Sequence, residues 1–381
     1  MINISSKLSQ VQNSIFSVMT SLAIKHNAIN LSQGFPDFPV SPQLIKLVNS
    51  EMKKGNNQYA PMPGILSLRE SISKKVEALH QSFYHPEKEI TITAGGTQAI
   101  FTAIATIIRP NDEAIIFEPA YDCYAPTVKL FGGLVKSFEM QAPFYEIDWD
   151  IVKRLVTVNT KLIIINSPHN PSGQILNKED IDQLIMITKN TDIAIISDEI
   201  YEHVIFDNED HLSLSRYPVL KERTFVIASF GKLFHTTGWK VGYCLAPEYL
   251  MNEFRKIHQF QVFSVNTPIQ IAFNEYINQS DSYQHLASFF QKKRDLFRSL
   301  LKQTRFTLLD CRGSYFQNVS FEKITDEKDL DFALRMVKDY KVAAVPNSSF
   351  YSRQSEGNTL RFCFAKKEET LEKAAGFLLK I

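Results

Sequence analysis

Five short runs of aliphatic and β-branched residues recur along the first three quarters of the chain: Glu89 to Thr93 (EITIT), Ala114 to Phe117 (AIIF), Leu162 to Asn166 (LIIIN), Ile193 to Ile196 (IAII) and Thr224 to Ser229 (TFVIAS). Nearly every position in them is apolar, which predicts strands buried on both faces rather than strands with one wet face. Longer stretches of helical spacing separate the runs. That alternation predicts an α/β fold with a doubly wound, mostly parallel sheet. Each run leads into a polar or Gly/Pro-containing segment, and in such sheets ligands sit beyond the carboxyl ends of the strands. The five exits are therefore the place to look for chemistry.

After about residue 280 the pattern changes to a long charged helix, Gln291 to Gln303. Short strands follow around Gly313 to Phe321 and Leu360 to Phe364. This predicts a smaller α+β domain at residues 281–381 beside a large domain at 46–280, with an arm at 1–45 joining the small domain. A chain of 381 residues is long enough for two cores. Hydrophobic residues make up 44% and charged residues 22%, as in ordinary globular proteins. A formal net charge of +1 and the lack of a long basic run argue against nucleic acid as a partner. Cys123, Cys244, Cys311 and Cys363 are scattered and form no C-x-x-C pair, which fits a reducing cytoplasm better than a disulfide framework or a zinc site. The amino terminus lacks the pattern of a signal peptide, and no apolar run reaches the roughly 18 residues of a membrane span, so no membrane association is expected.

At the exit of TFVIAS stands Ser229-Phe230-Gly231-Lys232, where a lysine among small residues is open to an aldehyde. Asp198 closes the preceding strand in ISDEIY. A carboxylate at the mouth of an apolar sheet seeks a cation, although a helix N-cap is an equally available role. Tyr201, three residues on, falls one helical turn away. The exit of LIIIN is Ser167-Pro168-His169-Asn170-Pro171-Ser172-Gly173, a turn that presents the Asn170 amide or is simply a turn. Ala94-Gly95-Gly96-Thr97 opens onto a helix whose free N–H groups suit a phosphate.

These residues, taken with Gly34-Phe35-Pro36-Asp37-Phe38, Tyr59, Tyr121, Lys240 and Arg361, resemble a class I aminotransferase of the pyridoxal 5′-phosphate (PLP) dependent transferase fold type I. The resemblance spans nearly the whole chain. The tracts QGFPDFP, ISDEIYEH, SFGK, TGWKVGYC and FSVNTPIQ are most similar to the bacterial methionine aminotransferases and the kynurenine aminotransferase/glutamine transaminase K group. The resemblance implies that Lys232 carries the cofactor, Asp198 partners its ring nitrogen, and Tyr201 and Asn170 hold its ring oxygen. It implies Tyr121 stacked over the ring, and Gly96, Thr97, Ser229 and Lys240 around the phosphate. Arg361 then grips the substrate α-carboxylate, with Asn170, Gly34 and Phe35 beside it. It also implies a homodimer in which Tyr59 reaches the partner's phosphate.

Lysine at 240, where many relatives carry arginine, still supplies a positive charge, but as a point rather than a fork. Asn347 after Pro346, where the family has glycine, tolerates a left-handed turn. His169, His203 and His235 flank motif residues without zinc spacing, so structural hydrogen bonds are expected and no metal. Aromatic residues such as Phe35, Phe38, Tyr315, Phe316 and Phe350 suggest an apolar pocket, which favours methionine, aromatic amino acids, glutamine or kynurenine over acidic substrates. The alternatives are a PLP-dependent carbon–sulfur β-lyase on the same fold and, more remotely, a non-catalytic PLP or amino-acid sensor.

Overall fold

The computed structural model describes residues 2, 4–9, 13–279, 282–353 and 357–381. The chain enters through a helix at Ile15–Lys25 and a short strand, β1 (Ile29–Asn30). It then builds a seven-stranded sheet from β2 (Ile90–Thr93), β3 (Glu113–Glu118), β4 (Leu134–Glu139), β5 (Thr160–Asn166), β6 (Ala194–Asp198), β7 (Thr224–Ser229) and β8 (Gly242–Leu245). The strand order is β2-β8-β7-β6-β5-β3-β4. Strands β7, β6, β5, β3 and β4 pair in parallel, while β8 runs antiparallel to both β2 and β7.

All five expected strands form, with ends shifted by a residue or two, and the fold is α/β with a mainly parallel sheet as expected. Every residue of β2, β3 and β6 is buried, which is why no wet, charged face alternates along them. Two strands lay outside the sequence reading for a physical reason. At the sheet edge, β4 has an exposed first residue and four half-buried ones, a lysine among them, so its sequence LVKSFE mixes signals. Strand β8 has only four residues and opens on glycine.

Beyond the sheet, β9 (Thr307–Leu308), β10 (Phe316–Ser320), β12 (Val345–Pro346) and β13 (Thr359–Cys363) form an antiparallel sheet in the order β12-β13-β10-β9. The N-terminal arm is fastened to this part of the chain, since β1 pairs in parallel with β11 (Val342–Ala343). The expected charged helix runs over Leu286–Leu301, earlier than Gln291 to Gln303, because Leu286, Phe290, Phe297 and Leu301 form one buried face and Thr304 Oγ1 closes its end on Leu301 O at 2.6 Å. The expected domain boundary at 280/281 falls on two residues outside the described ones. No helix among the described residues is long and apolar enough to cross a membrane.

Candidate active site

The exits of β2, β5, β6 and β7 deliver Gly96 and Thr97, Asn170, Asp198 and Tyr201, and Ser229 and Lys232 to a single cavity of about 240 Å³. Gly34, Tyr121, Lys240 and Arg361 also line it. Eleven of the thirteen expected site residues thus meet at one place. The other two do not line the cavity. Tyr59 is 81% exposed and packs edge-on against Phe263 at 5.3 Å. Phe35 stands on the surface with the Lys366 ammonium 4.7 Å above its ring.

Lys232 sits in the short helix Phe230–Leu233 directly after β7, and its Nζ donates to Gly34 O at 2.6 Å. It keeps a fraction of its surface open to the cavity but lies deep. Burial first, then the nearby Arg361 and Lys240 charges, pull its ammonium down to about 8. Asp198 is buried at the end of β6. Burial pushes its carboxyl up, bonds from the Tyr124 hydroxyl at 2.5 Å and the Ile200 N–H at 3.3 Å draw it back, and the balance stands at about 6. Asn166 fixes the backbone there by donating from Nδ2 to Asp198 O at 2.8 Å.

The segment after Asp198 is pinned from behind. Glu199 accepts bonds from Ser197 Oγ at 2.7 Å and Leu214 N at 3.1 Å and faces His211 Nε2 at 2.7 Å. Glu202 accepts from Lys75 Nζ at 2.6 Å and Tyr243 OH at 3.1 Å. Burial alone would raise the Glu202 carboxyl, but Lys75 and the histidines around it hold it well below the usual range. These buried charges are paired on one side of a segment whose other side presents Asp198 and Tyr201.

At the opposite wall Arg361, on β13, is 1% exposed. Its Nη1 donates to Asn170 Oδ1 at 2.6 Å and its Nη2 to Ser32 O at 2.8 Å, while its buried Nε has no partner. The rings of Phe316, Phe350 and Phe16 surround its guanidinium at 3.8, 5.0 and 5.1 Å. Burial lowers it to about 10, still fully cationic at neutral pH. A buried cation with an unused donor is a site for an anion.

The third wall is a cradle. Gly95 has φ +84°, and a Cβ there would lie 3.3 Å from Lys240 Nζ; a Cβ on Gly242 would meet Ala228 O at 2.7 Å. Both glycines leave room for backbone N–H groups at the start of the helix Gly96–Ile107. Thr97 Oγ1 and Tyr121 OH lie 3.2 Å apart across the rim.

Sequence reasoning missed Tyr124 and Asn166, which hold Asp198, and Phe16, which lines the cavity. A larger cavity of about 460 Å³ lies beyond Tyr124 and Asn166, near Trp149 and Arg312, but none of the expected residues lines it. Convergent chemistry, not volume, marks the site.

The model of the family "Aminotransferase class I and II" matches residues 26–378. The chain is 42% identical to the methionine aminotransferase of Escherichia coli (strain K12), over 97% of this chain and 96% of that one. It is 31% identical to the kynurenine–oxoglutarate transaminase of Dictyostelium discoideum, over 97% and 94%. The solved structure of YbdL from Escherichia coli, described as having a methionine aminotransferase function, superposes with a TM-score of 0.96 at 40% identity, covering all of both chains. The architecture is the fold type I of that family. The chain belongs to the class I and II aminotransferases and passes an amino group between an amino acid and a 2-oxo acid.

Proposed function

We propose that the cavity binds pyridoxal 5′-phosphate and that the protein takes the amino group from methionine or from an aromatic, glutamine or kynurenine-type donor in a ping-pong exchange. The observation that carries this reading is one cavity holding a softened lysine, a buried carboxylate and a buried arginine with a spare donor. The residues fit the cofactor: the Gly95–Gly96 cradle with Thr97, Ser229 and Lys240 for a phosphate, Lys232 for an aldehyde, Asp198 for a protonated ring nitrogen, Asn170 and Tyr201 for a ring oxygen, and Tyr121 for a ring face. When bound, that group supplies an electron-withdrawing ring and an aldehyde that accepts an amino group.

The chain's own groups do the rest. Arg361 and Asn170 fix the substrate carboxylate and so orient the α C–H bond. Lys232, with an amine that titrates at about 8, is neutral often enough near pH 8 to take the α proton and to return it. Asp198 remains a carboxylate above about pH 6 and holds a proton on its partner. The rings of Phe16, Phe316 and Phe350 exclude water around Arg361 and favour apolar side chains over a second carboxylate.

A second copy of the chain completes the assignment. Tyr59, Phe260 and Phe263 are 81, 87 and 53% exposed, an apolar patch suited to a homodimer in which Tyr59 serves the partner's phosphate. Residues 46–280 form the cofactor domain in this reading, with 281–381 and the arm 1–45 as the small one. Four unpaired cysteines, three of them buried, suit a reducing cytoplasm.

The test is to mix the purified, cofactor-loaded protein with L-methionine and no oxo acid. The cofactor's visible band should bleach stoichiometrically and return when a 2-oxo acid is added. No bleaching with methionine, phenylalanine, glutamine or kynurenine would rule out the substrate class.

Tyr124 offers a finer check. Tyr124→Phe deletes a hydrogen bond to a charged carboxylate, worth roughly 1.5–3 kcal/mol, and leaves burial to raise Asp198 further. The carboxylate form is then lost at a higher pH on acidification. The acid limb of kcat/KM should move up in pH, with activity about tenfold lower on the acid side and nearly normal on the alkaline side. Superimposable pH profiles for the two proteins would disprove a role for Tyr124.

A further inference from the structure

Four consecutive carbonyls in the loop that follows β1 are each held by a cation. Ser32 O accepts from Arg361 Nη2 at 2.8 Å, Gln33 O from Lys366 Nζ at 3.5 Å, Gly34 O from Lys232 Nζ at 2.6 Å, and Phe35 O from Lys366 Nζ at 2.7 Å. Lys366 is 3% exposed, and its ammonium bonds to main-chain carbonyls, those of Gln33 and Phe35. Burying an ammonium is costly, and here main-chain oxygens of one loop supply the compensating bonds.

Two of the three cations have other work. On the reading above, Arg361 must hold the substrate carboxylate besides Ser32 O and Asn170 Oδ1, and Lys232 engages the cofactor and the α proton, so Gly34 O loses its donor. Lys366 has no such duty. It follows β13 by three residues, its own carbonyl accepts from Lys293 Nζ at 2.8 Å, and that ammonium lies 5.1 Å from the Phe38 ring. Asp37 ties the far end of the loop to the same stretch, accepting from Lys367 N at 2.6 Å and Thr370 Oγ1 at 2.7 Å.

We propose that Lys366 is a positioning residue: it clamps the Gln33–Phe35 main chain to the C-terminal segment, so that the substrate side of the cavity keeps its shape when Lys232 leaves Gly34 O for the cofactor. The proposal rests on the assignment of Arg361 and Lys232 to substrate and cofactor. Its consequence is a split in the kinetics. Losing the clamp should weaken the hold on the amino donor and leave the chemical step nearly intact.

The experiment uses cofactor-loaded Lys366→Met, Lys366→Arg and Asp37→Ala in the methionine half-reaction, followed by the bleaching of the visible band. Lys366→Met should raise the apparent dissociation constant for methionine about tenfold, as expected for one lost charge-assisted bond, with the limiting rate changed less than about threefold. Lys366→Arg should restore most of the affinity, and Asp37→Ala should shift affinity in the same direction by a smaller factor. Amide hydrogen exchange over Gln33–Phe38 should quicken in Lys366→Met. That measurement needs no catalysis, so it decides the clamp even if methionine fails to bleach the wild type and the substrate reading falls. An unchanged exchange rate, or a fall in limiting rate at unchanged affinity, would overturn the proposal. Should Lys366→Met not fold, an Asp37→Ala protein with wild-type affinity and exchange would do the same.

Discussion

Lys232→Ala should lose about a thousandfold to ten-thousandfold of the transamination rate with methionine and a 2-oxo acid, measured as the keto acid formed. Among the described residues no other amine stands where Lys232 does: Lys240 lies over Gly95 on the phosphate side, and Lys366 is occupied with the loop carbonyls. Lys232→Arg separates charge from chemistry. It keeps a cation in place but cannot give up its proton, so it should be as inactive as the alanine variant. An arginine variant with a tenth of normal activity would show that Lys232 acts by its charge alone.

The same substitution makes an opposite prediction for stability. The Lys232 ammonium titrates at about 8 in the folded protein against 10.5 for the ordinary group, so the unfolded chain binds the proton more tightly. Stability from this group therefore rises with pH between about 8 and 10.5, and the full penalty, up to about 3 kcal/mol, is present below 8. Alanine removes that penalty and gives up one bond to Gly34 O. The cofactor-free variant should unfold at neutral pH no earlier than the wild type, as calorimetry can check. Function lost without stability lost is the mark of a residue kept for chemistry.

How much of this could be read from the sequence depended on where each residue stands. The strand exits were legible because strands buried on both faces leave only their ends free for polar groups, so Asp198, Lys232 and Asn170 stood out against apolar runs. Tyr124 gave no such signal. It lies 74 residues from Asp198 in sequence, and only the packing of the helix Tyr124–Leu130 against β3, β4 and the helix Gly96–Ile107 brings its hydroxyl to the end of β6. Lys366 was hidden in another way. The run Ala365-Lys366-Lys367-Glu368-Glu369 looks like a solvated charged surface, yet Lys366 is buried and Lys367 exposed. The two differ because Lys366 still follows the buried β13, whereas Lys367 is already the N-cap of the last helix. Phe35 shows the converse: its neighbour Gly34 lines the cavity, while its own ring turns outward under Lys366.

Arg361→Met should cost about two to three orders of magnitude in kcat/KM for methionine, because removing one partner of a buried, hydrogen-bonded ion pair costs about 3–5 kcal/mol. Arg361→Lys should recover little of it. A lysine cannot present two parallel donors, and Asn170 Oδ1 and Ser32 O, held now by separate guanidinium nitrogens, cannot both be reached by one ammonium along with a carboxylate. The substrate supplies the control. An amine with the methionine side chain but no carboxylate leaves Arg361 without its partner, so wild type and Arg361→Met should process it at similar, low rates. The loss should therefore belong to the pair, as in a double-mutant cycle. Equal losses on both substrates would mean that Arg361 shapes the cavity through Phe316, Phe350 and Phe16 rather than by gripping an anion. Stability should move little. The variant leaves two acceptors without donors, but it also removes a cation whose depressed pKa of about 10 records the cost of its burial. A cation that is costly to bury, held between aromatic rings with one donor unused, is explained by the anion it is kept for.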